Sequence, residues 1–397
     1  MIELFLLGAA AGAVVKARQA RPARVGPRRR RGRAWELPGL DVLASAPRPL
    51  GGDLGGYGET LISGLSARGL EVRLAGTVTG PSVVRYELDL GDARLSRLTG
   101  LTRDIGYLLG ASNPRILTPV DGRSVVGIEV PRRERELVTL ASVLGRKRLG
   151  VLDVAIGLTT DAMPVMANLA QLHHVLVAGA TGAGKSTFLN SLIVSLLVGA
   201  SPKDLQLLLI DPKRVELSQY AGLPHLWRPI AKDGGDAIIA LVAVVEEMNR
   251  RYAFMERKGF RNIAEARAKG VDLPYLVVII DEVAELMMVA REHVEPAIAG
   301  IARLGRGAGI HLVPATQRPD VKVITGEIKA NIPARVAFAV ASNTDSRVIL
   351  DANGAENLTG KGDLLFSTGG HELTRAQGAY VTDDEIRKVV QWWIKQR

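Results

Sequence analysis

The sequence predicts an α/β protein: a parallel sheet with a phosphate-binding loop at its centre, preceded by a smaller α+β unit. Three observations carry this. Residues 174–197 read as a strand-length apolar run (HVLVA), a glycine-rich turn (GATGAGKS) and a helix with Phe188, Leu189, Leu192, Ile193, Leu196 and Leu197 on one face. Beyond them, apolar runs of strand length alternate with stretches of helical periodicity, the order that builds parallel strands. A further apolar run at 275–280 ends in a carboxylate pair, Asp281 and Glu282.

Composition bounds what surrounds these features. A chain of 397 residues has room for two or three domains with ample core, and 47% hydrophobic against 23% charged residues is the balance of a folded protein. The absence of cysteine excludes disulfides, thiol chemistry and zinc–thiolate sites, and fits a reducing compartment. The net charge of +10 is concentrated: residues 16–33 hold nine basic side chains and no acid, so the remainder is nearly balanced. High basicity therefore says little about the folded part. The tract itself reads as a linker able to touch DNA phosphates or anionic lipid.

In chain order, residues 1–15 are apolar apart from Glu3. That run is about 14 residues, short of the ~20 a spanning helix needs. Its basic residues follow the apolar run, whereas a secretory signal puts them first. Weak membrane association through this segment stays as the minor reading, with the rest of the chain cytoplasmic. Residues 1–36 are thus a tail and linker. Residues 37–150 form the first unit, with helices expected at 57–70 and 95–109 and strands at 83–90, 115–117 and 124–130, the last two separated by the turn signal Asp121-Gly122. No catalytic constellation occurs in it.

The second unit, 151–397, carries the loop. Strands are expected at 205–210, 275–280, 310–315, 336–340, 364–366 and 379–381, with a turn at Gly369-Gly370. Helices are expected at 237–258, 297–309 and 383–395. On the first of these, Glu246 and Glu247 precede Arg250 and Arg251 by four residues, a pattern of solvated helix faces.

The chemistry follows from residue types at fixed spacing. In G-x-x-x-x-G-K-S, glycines let backbone N–H groups turn toward a phosphate chain while a helix N-terminus adds its dipole. The candidate nucleotide residues are Gly179, Ala180, Thr181, Gly182, Ala183, Gly184, Lys185, Ser186 and Thr187. Lys185 would reach the β/γ-phosphates of ATP, and Ser186 with Asp281 would ligate Mg²⁺. Glu282 is the candidate for polarising the attacking water. Gln317, at the end of a neighbouring strand, suits sensing of the γ-phosphate, and Arg306 suits charge stabilisation from a subunit face; an edge hydrogen bond and a salt bridge are their plain alternatives. The six histidines, His173, His174, His225, His293, His311 and His371, lack ligand spacing and read as packing or surface residues.

The strings HHVLVAGATGAGKS, LLLIDPKRVELSQY, EEMNRRYAFM, VVIIDEVAELMM, ARLGRGAGIHLVPATQRPD, VITGEIKANIPARVAFAV and SNTDSRVILD resemble the FtsK/SpoIIIE family of hexameric double-stranded-DNA translocases. Upstream, GTVTGPSVVRYEL, LTRDIGYLLG and VVGIEVP resemble that family's α domain. The resemblance implies a RecA-like P-loop motor, a homo-hexamer around duplex DNA, and ATP hydrolysis coupled to translocation in DNA segregation or transfer. It puts Arg306 at the position of an arginine reaching the neighbouring subunit's ATP. It also puts Thr316, Arg318 and Arg347 on loops lining a central channel, with Lys329 among the basic residues clustered near them. Asn343 stands where many relatives have lysine. Cell-division members carry transmembrane helices and a C-terminal winged-helix domain, so this sequence is expected to lack built-in polarity reading. The rival within the class is a conjugative or secretion-type ATPase moving another polymer or a protein.

Overall fold

The computed structural model describes residues 34–43, 57–111, 114–118, 120, 123–132, 136–145, 148–370 and 372–397. The apolar and basic segments expected at 1–15 and 16–33, the turn at 121–122 and His371 lie outside them. No described helix is long and apolar enough to cross a membrane.

The first unit is a four-stranded antiparallel sheet, β1 (Arg73–Thr79), β2 (Val83–Asp89), β3 (Arg115–Leu117) and β4 (Val126–Pro131), in the order β1-β2-β4-β3. Its helices Tyr57–Ser66 and Thr102–Leu109 close over one face, where Leu61, Leu65, Leu88, Leu98, Ile105 and Ile128 are buried. The helix expected over 95–109 is two, Leu95–Gly100 and Thr102–Leu109, broken at Leu101. β1 was not anticipated; its side chains are largely exposed and carry no clean alternation.

The second unit is a nine-stranded sheet: β5 (Asp153–Thr159), β6 (Pro164–Asn168), β7 (Val175–Ala178), β8 (Leu205–Ile210), β9 (Tyr275–Ile280), β10 (Ile310–Thr316), β11 (Ala334–Phe338), β12 (Asp363–Ser367) and β13 (Thr374–Gly378). Their order is β6-β5-β13-β12-β11-β7-β10-β9-β8. The expected parallel sheet is its central part only. β8, β9, β10, β7 and β11 run parallel, whereas β12, β13, β5 and β6 extend it antiparallel. The last strand is Thr374–Gly378 rather than 379–381, paired with β12 across Gly369-Gly370. β7 divides the interior: Val175 and Val177 face one core cluster, Leu176 and Ala178 the other, the period-2 alternation of a strand covered on both sides.

Helix Lys185–Gly199 is buried nearly all round, not on one stripe. Its polar side chains are satisfied within the core: Ser191 Oγ donates to the Ala379 carbonyl at 2.6 Å and Ser195 Oγ to the Ser191 carbonyl at 2.7 Å. Helix Asp383–Lys395 begins in a capping box, Thr382 with Glu385. It sends Trp393 into the core, where the indole N–H donates to the Leu197 carbonyl at 3.0 Å. The helix expected from 297 starts at Val283, directly after Glu282, and runs to Leu304 with a kink at Ala290 and Pro296 inside it.

The two units are joined by packing as well as by chain. Arg375 on β13 donates to Asp363 at 2.7 and 3.0 Å and to Glu129 of β4 at 2.6 Å, with all three side chains buried. Burial opposes the Arg375 charge, but the bonds and charges of Asp363 and Glu129 raise its pKa above the usual arginine value. A Cβ on Gly80 would lie 2.1 Å from the Thr160 carbonyl oxygen, so the β1–β2 turn meets the β5–β6 hairpin backbone to backbone. Val138, Leu140, Val143 and Leu144 belong to the second unit's core, so the chain enters that unit before residue 138 rather than at 150.

Candidate active site

The glycine-rich turn leaves the C-terminal end of β7 and enters helix Lys185–Gly199. Gly182 and Gly184 have φ of 77° and 125°, backbone that a side chain disfavours. At Gly184 a Cβ would also lie 2.7 Å from the Gly362 nitrogen. Gly184 is the N-cap and offers no side-chain acceptor, so the N–H groups of the first helical turn, Lys185, Ser186 and Thr187, face the loop without an intrahelical partner. Ala180 N–H donates to the Ala339 carbonyl at 2.9 Å, and the Ala183 carbonyl accepts from Gly362 N–H at 2.8 Å. These bonds hold the turn against β11 and the 360–362 loop.

β9 delivers Asp281 and Glu282 to the same end of the sheet. Lys185, almost wholly buried, donates from Nζ to Asp281 Oδ1 at 2.7 Å and to the Asp281 carbonyl at 2.5 Å. Asp281 Oδ2 is buried without a hydrogen-bond partner. Such an orphaned carboxylate oxygen beside the loop fits a cation ligand, and Ser186 supplies a hydroxyl on the adjacent turn. Glu282 is 1% exposed, and both its oxygens are engaged. Oε1 accepts from Thr316 Oγ at 2.6 Å, Gln317 N–H reaches both oxygens at 3.2 and 3.1 Å, and Lys213 Nζ lies 3.4 Å from Oε2. Gln317 Oε1 in turn accepts from Thr181 Oγ at 2.8 Å, tying the end of β10 to the glycine-rich turn. Lys185, Asp281, Glu282 and Gln317 are thus brought together.

The residues expected on channel loops are placed differently from one another. Thr316 is the last residue of β10 and is buried against Glu282; its hydroxyl donates to that carboxylate while accepting from Arg318 N–H at 3.1 Å. It does not sit on an exposed loop. Lys329, on helix Gly326–Asn331, pairs with Asp351, which also takes Arg335, so its charge is spent within the fold. Arg347 lies on helix Asn343–Leu350 instead of a loop, exposed, with Nε bonded to Asn353 at 2.8 Å. Arg318 is exposed and touches Met288 Sδ at 3.7 Å.

Arg306 is exposed in the turn that precedes β10. β10 is parallel to β7, with Thr316 beside Ala178, so Arg306 lies a whole strand away from the glycine-rich turn, about 20 Å at 3.3 Å per residue. Its charge is felt at the other edge: burial first, and then Arg306, hold the His173 imidazole below its usual pKa. Within one chain Arg306 and Lys185 belong to opposite ends of the sheet.

A cleft of about 340 Å³ opens beside the glycine-rich turn, bounded by Leu137, Val138, Gly184, Phe338, Gly362 and Tyr380. None of these, apart from Gly184, was legible as a site residue; the dense glycines at 360 and 362 were the available signal. Lys213 and Thr316 were likewise missed as neighbours of Glu282, because each reaches it from a different strand end.

Residues 144–321 match the family model described as FtsK/SpoIIIE family, and residues 37–132 that of the FtsK alpha domain. The chain is 46% identical over 389 residues to the DNA translocase FtsK of Streptomyces avermitilis, covering 90% of this chain and 42% of that protein. It is 42% identical over 386 residues to the DNA translocase SpoIIIE of Bacillus subtilis, covering 91% of this chain and 49% of that protein. The chain therefore spans about half the length of these relatives or less. Among solved structures, the monomer form of the pCW3 conjugation coupling protein TcpA with ATPγS shares the fold, with a TM-score of 0.61 at 24% identity over 84% of this chain and 99% of that one.

Proposed function

The chain belongs to the FtsK/SpoIIIE family, and from that membership we propose that it is an ATPase that drives double-stranded DNA through a homo-hexameric ring in DNA segregation or transfer. The observation that carries the reading is the division of the site between the two ends of one sheet. Lys185, Asp281, Glu282 and Gln317 gather at one end, and an exposed Arg306 stands at the other. A copy of this chain placed head to tail brings its Arg306 end to the next copy's loop, the heterologous contact that closes rings.

Residues 179–187 cradle the ATP phosphates on backbone N–H groups, and Lys185 supplies the fixed charge. Ser186 and Asp281 would hold Mg²⁺, whose charge would offset the negative charge that develops on the phosphates. Glu282 orients the attacking water, Gln317 reports the γ-phosphate to β10, and the neighbour's Arg306 meets the charge on the transferring group. Arg318 and Arg347 are the exposed cations suited to DNA phosphates, contacts that position a duplex without reading its sequence. The motor works in the cytoplasm, where ATP and DNA meet. Steady-state ATP hydrolysis with and without blunt duplex DNA tests this. The expected result is a DNA-dependent rise that disappears in Arg306→Ala while ATP affinity stays. A rate indifferent to duplex DNA but raised by a protein substrate would instead favour a secretion-type motor.

A further inference from the structure

The turn that carries Arg306 is held rigid from outside itself. It reads Gly305-Arg306-Gly307-Ala308-Gly309, with Gly309 at φ 68° and Ile310 N–H donating to the Gly305 carbonyl at 2.9 Å. Helix Gly234–Lys258 passes beneath it. Arg251 Nη1 donates to the Ala308 carbonyl at 2.9 Å, and the Tyr252 hydroxyl donates to the Leu304 carbonyl at 2.6 Å, so the turn is gripped on both sides of Arg306. Between them Ile263 N–H takes the Gly307 carbonyl at 2.9 Å, and a Cβ on Gly307 would lie 2.6 Å from the Tyr252 oxygen. Arg251 is no surface charge: it is 3% exposed, and Glu247, also buried, fixes its Nε at 2.9 Å. A buried ion pair whose guanidinium also donates to the turn's carbonyl is a costly arrangement to keep for surface solvation.

We infer that Glu247, Arg251 and Tyr252 are positioning residues that present Arg306 to the neighbouring subunit's nucleotide. The inference rests on the reading of Arg306 as acting in trans. An exposed arginine contributes in trans only if its backbone is fixed within a fraction of an ångström before the subunits meet, and glycine-flanked backbone lacks that rigidity by itself. Helix Gly234–Lys258 supplies it.

The test uses rings in which wild-type protein is doped with subunits already dead at their own loop. Three dopants are compared: Lys185→Ala, Lys185→Ala with Arg306→Ala, and Lys185→Ala with Tyr252→Phe. Tyr252→Phe removes one partly exposed hydroxyl and leaves the buried Glu247–Arg251 pair untouched; its melting temperature is measured alongside. Because Lys185→Ala has already silenced the dopant's own pocket, any further fall in DNA-stimulated hydrolysis reports damage to the neighbour's site. The expected order of inhibition places the Tyr252→Phe dopant between the other two, with the affected sites slowed about two- to tenfold, the worth of one hydrogen bond. If the Arg306→Ala dopant poisons strongly and the Tyr252→Phe dopant matches Lys185→Ala alone, the positioning role is wrong while the trans role stands. If the Arg306→Ala dopant also matches Lys185→Ala alone, the trans reading fails and takes this inference with it.

Discussion

Glu282 and Thr316 show how one hydroxyl can matter at the residue scale. The Thr316 hydroxyl links Arg318 N–H, on the segment facing outward, to Glu282 Oε1 inside. A valine there keeps the shape and removes the link. Thr316→Val is expected to lower DNA-stimulated turnover about tenfold with ATP affinity unchanged, and Thr316→Ser to restore it, measured as kcat against KM. An unchanged kcat in Thr316→Val would mean that Gln317 N–H and Lys213 orient the carboxylate unaided. That Lys185, Asp281 and Glu282 meet at one end of the sheet was legible because each lies in a short motif at a strand end. Thr316 was not, because its partner is 34 positions away in the chain and only the β9–β10 pairing brings them together.

At the scale of elements, the same sequence pattern served two structures. Glu247 and Arg251 are spaced as in a solvated helix, yet the turn bearing Arg306 covers them. Periodicity assigns a helix face but not what lies against it. The helix expected from 297 falls short in another way: the kink at Ala290 lets a helix begin at Val283 and carry Pro296 within it. Three buried histidines, His174, His225 and His311, stand just before β7, near β8 and on β10. Burial first, then neighbouring charge at His174, depresses them to about 3, about 4 and about 4 respectively. Each is neutral in the fold and protonates near 6.5 once released, so unfolding takes up protons below that pH. Stability is therefore full above pH 6.5 and falls as pH drops toward 4. Around pH 5 these three account for the uptake of about three protons on unfolding, read from the pH dependence of the denaturation midpoint, and His311→Gln should remove about one. A midpoint flat between pH 7 and 5 would contradict the buried, neutral assignment.

At the scale of the whole molecule, the sheet works as a spacer. Its central parallel strands and β12 were legible from apolar runs, but the antiparallel direction of β12 and the extension through β13, β5 and β6 were not. β5 and β6 mix small, polar and apolar residues, and the pairing of β5 with β13 joins segments more than 200 residues apart. The spacer separates Arg306 from the loop its own chain carries. On the reading proposed above the site is completed between copies, a property that no single-chain spacing encodes and that the family resemblance alone offered in advance. The most direct measurement mixes two inactive proteins, Lys185→Ala and Arg306→Ala, and follows ATP hydrolysis with duplex DNA. Random mixing of equal amounts gives about a quarter of the interfaces an intact loop facing an intact arginine. Hydrolysis absent from either protein alone should return in the mixture, in proportion to those interfaces. A mixture as inactive as its components, with rings assembled, would contradict a site shared between subunits.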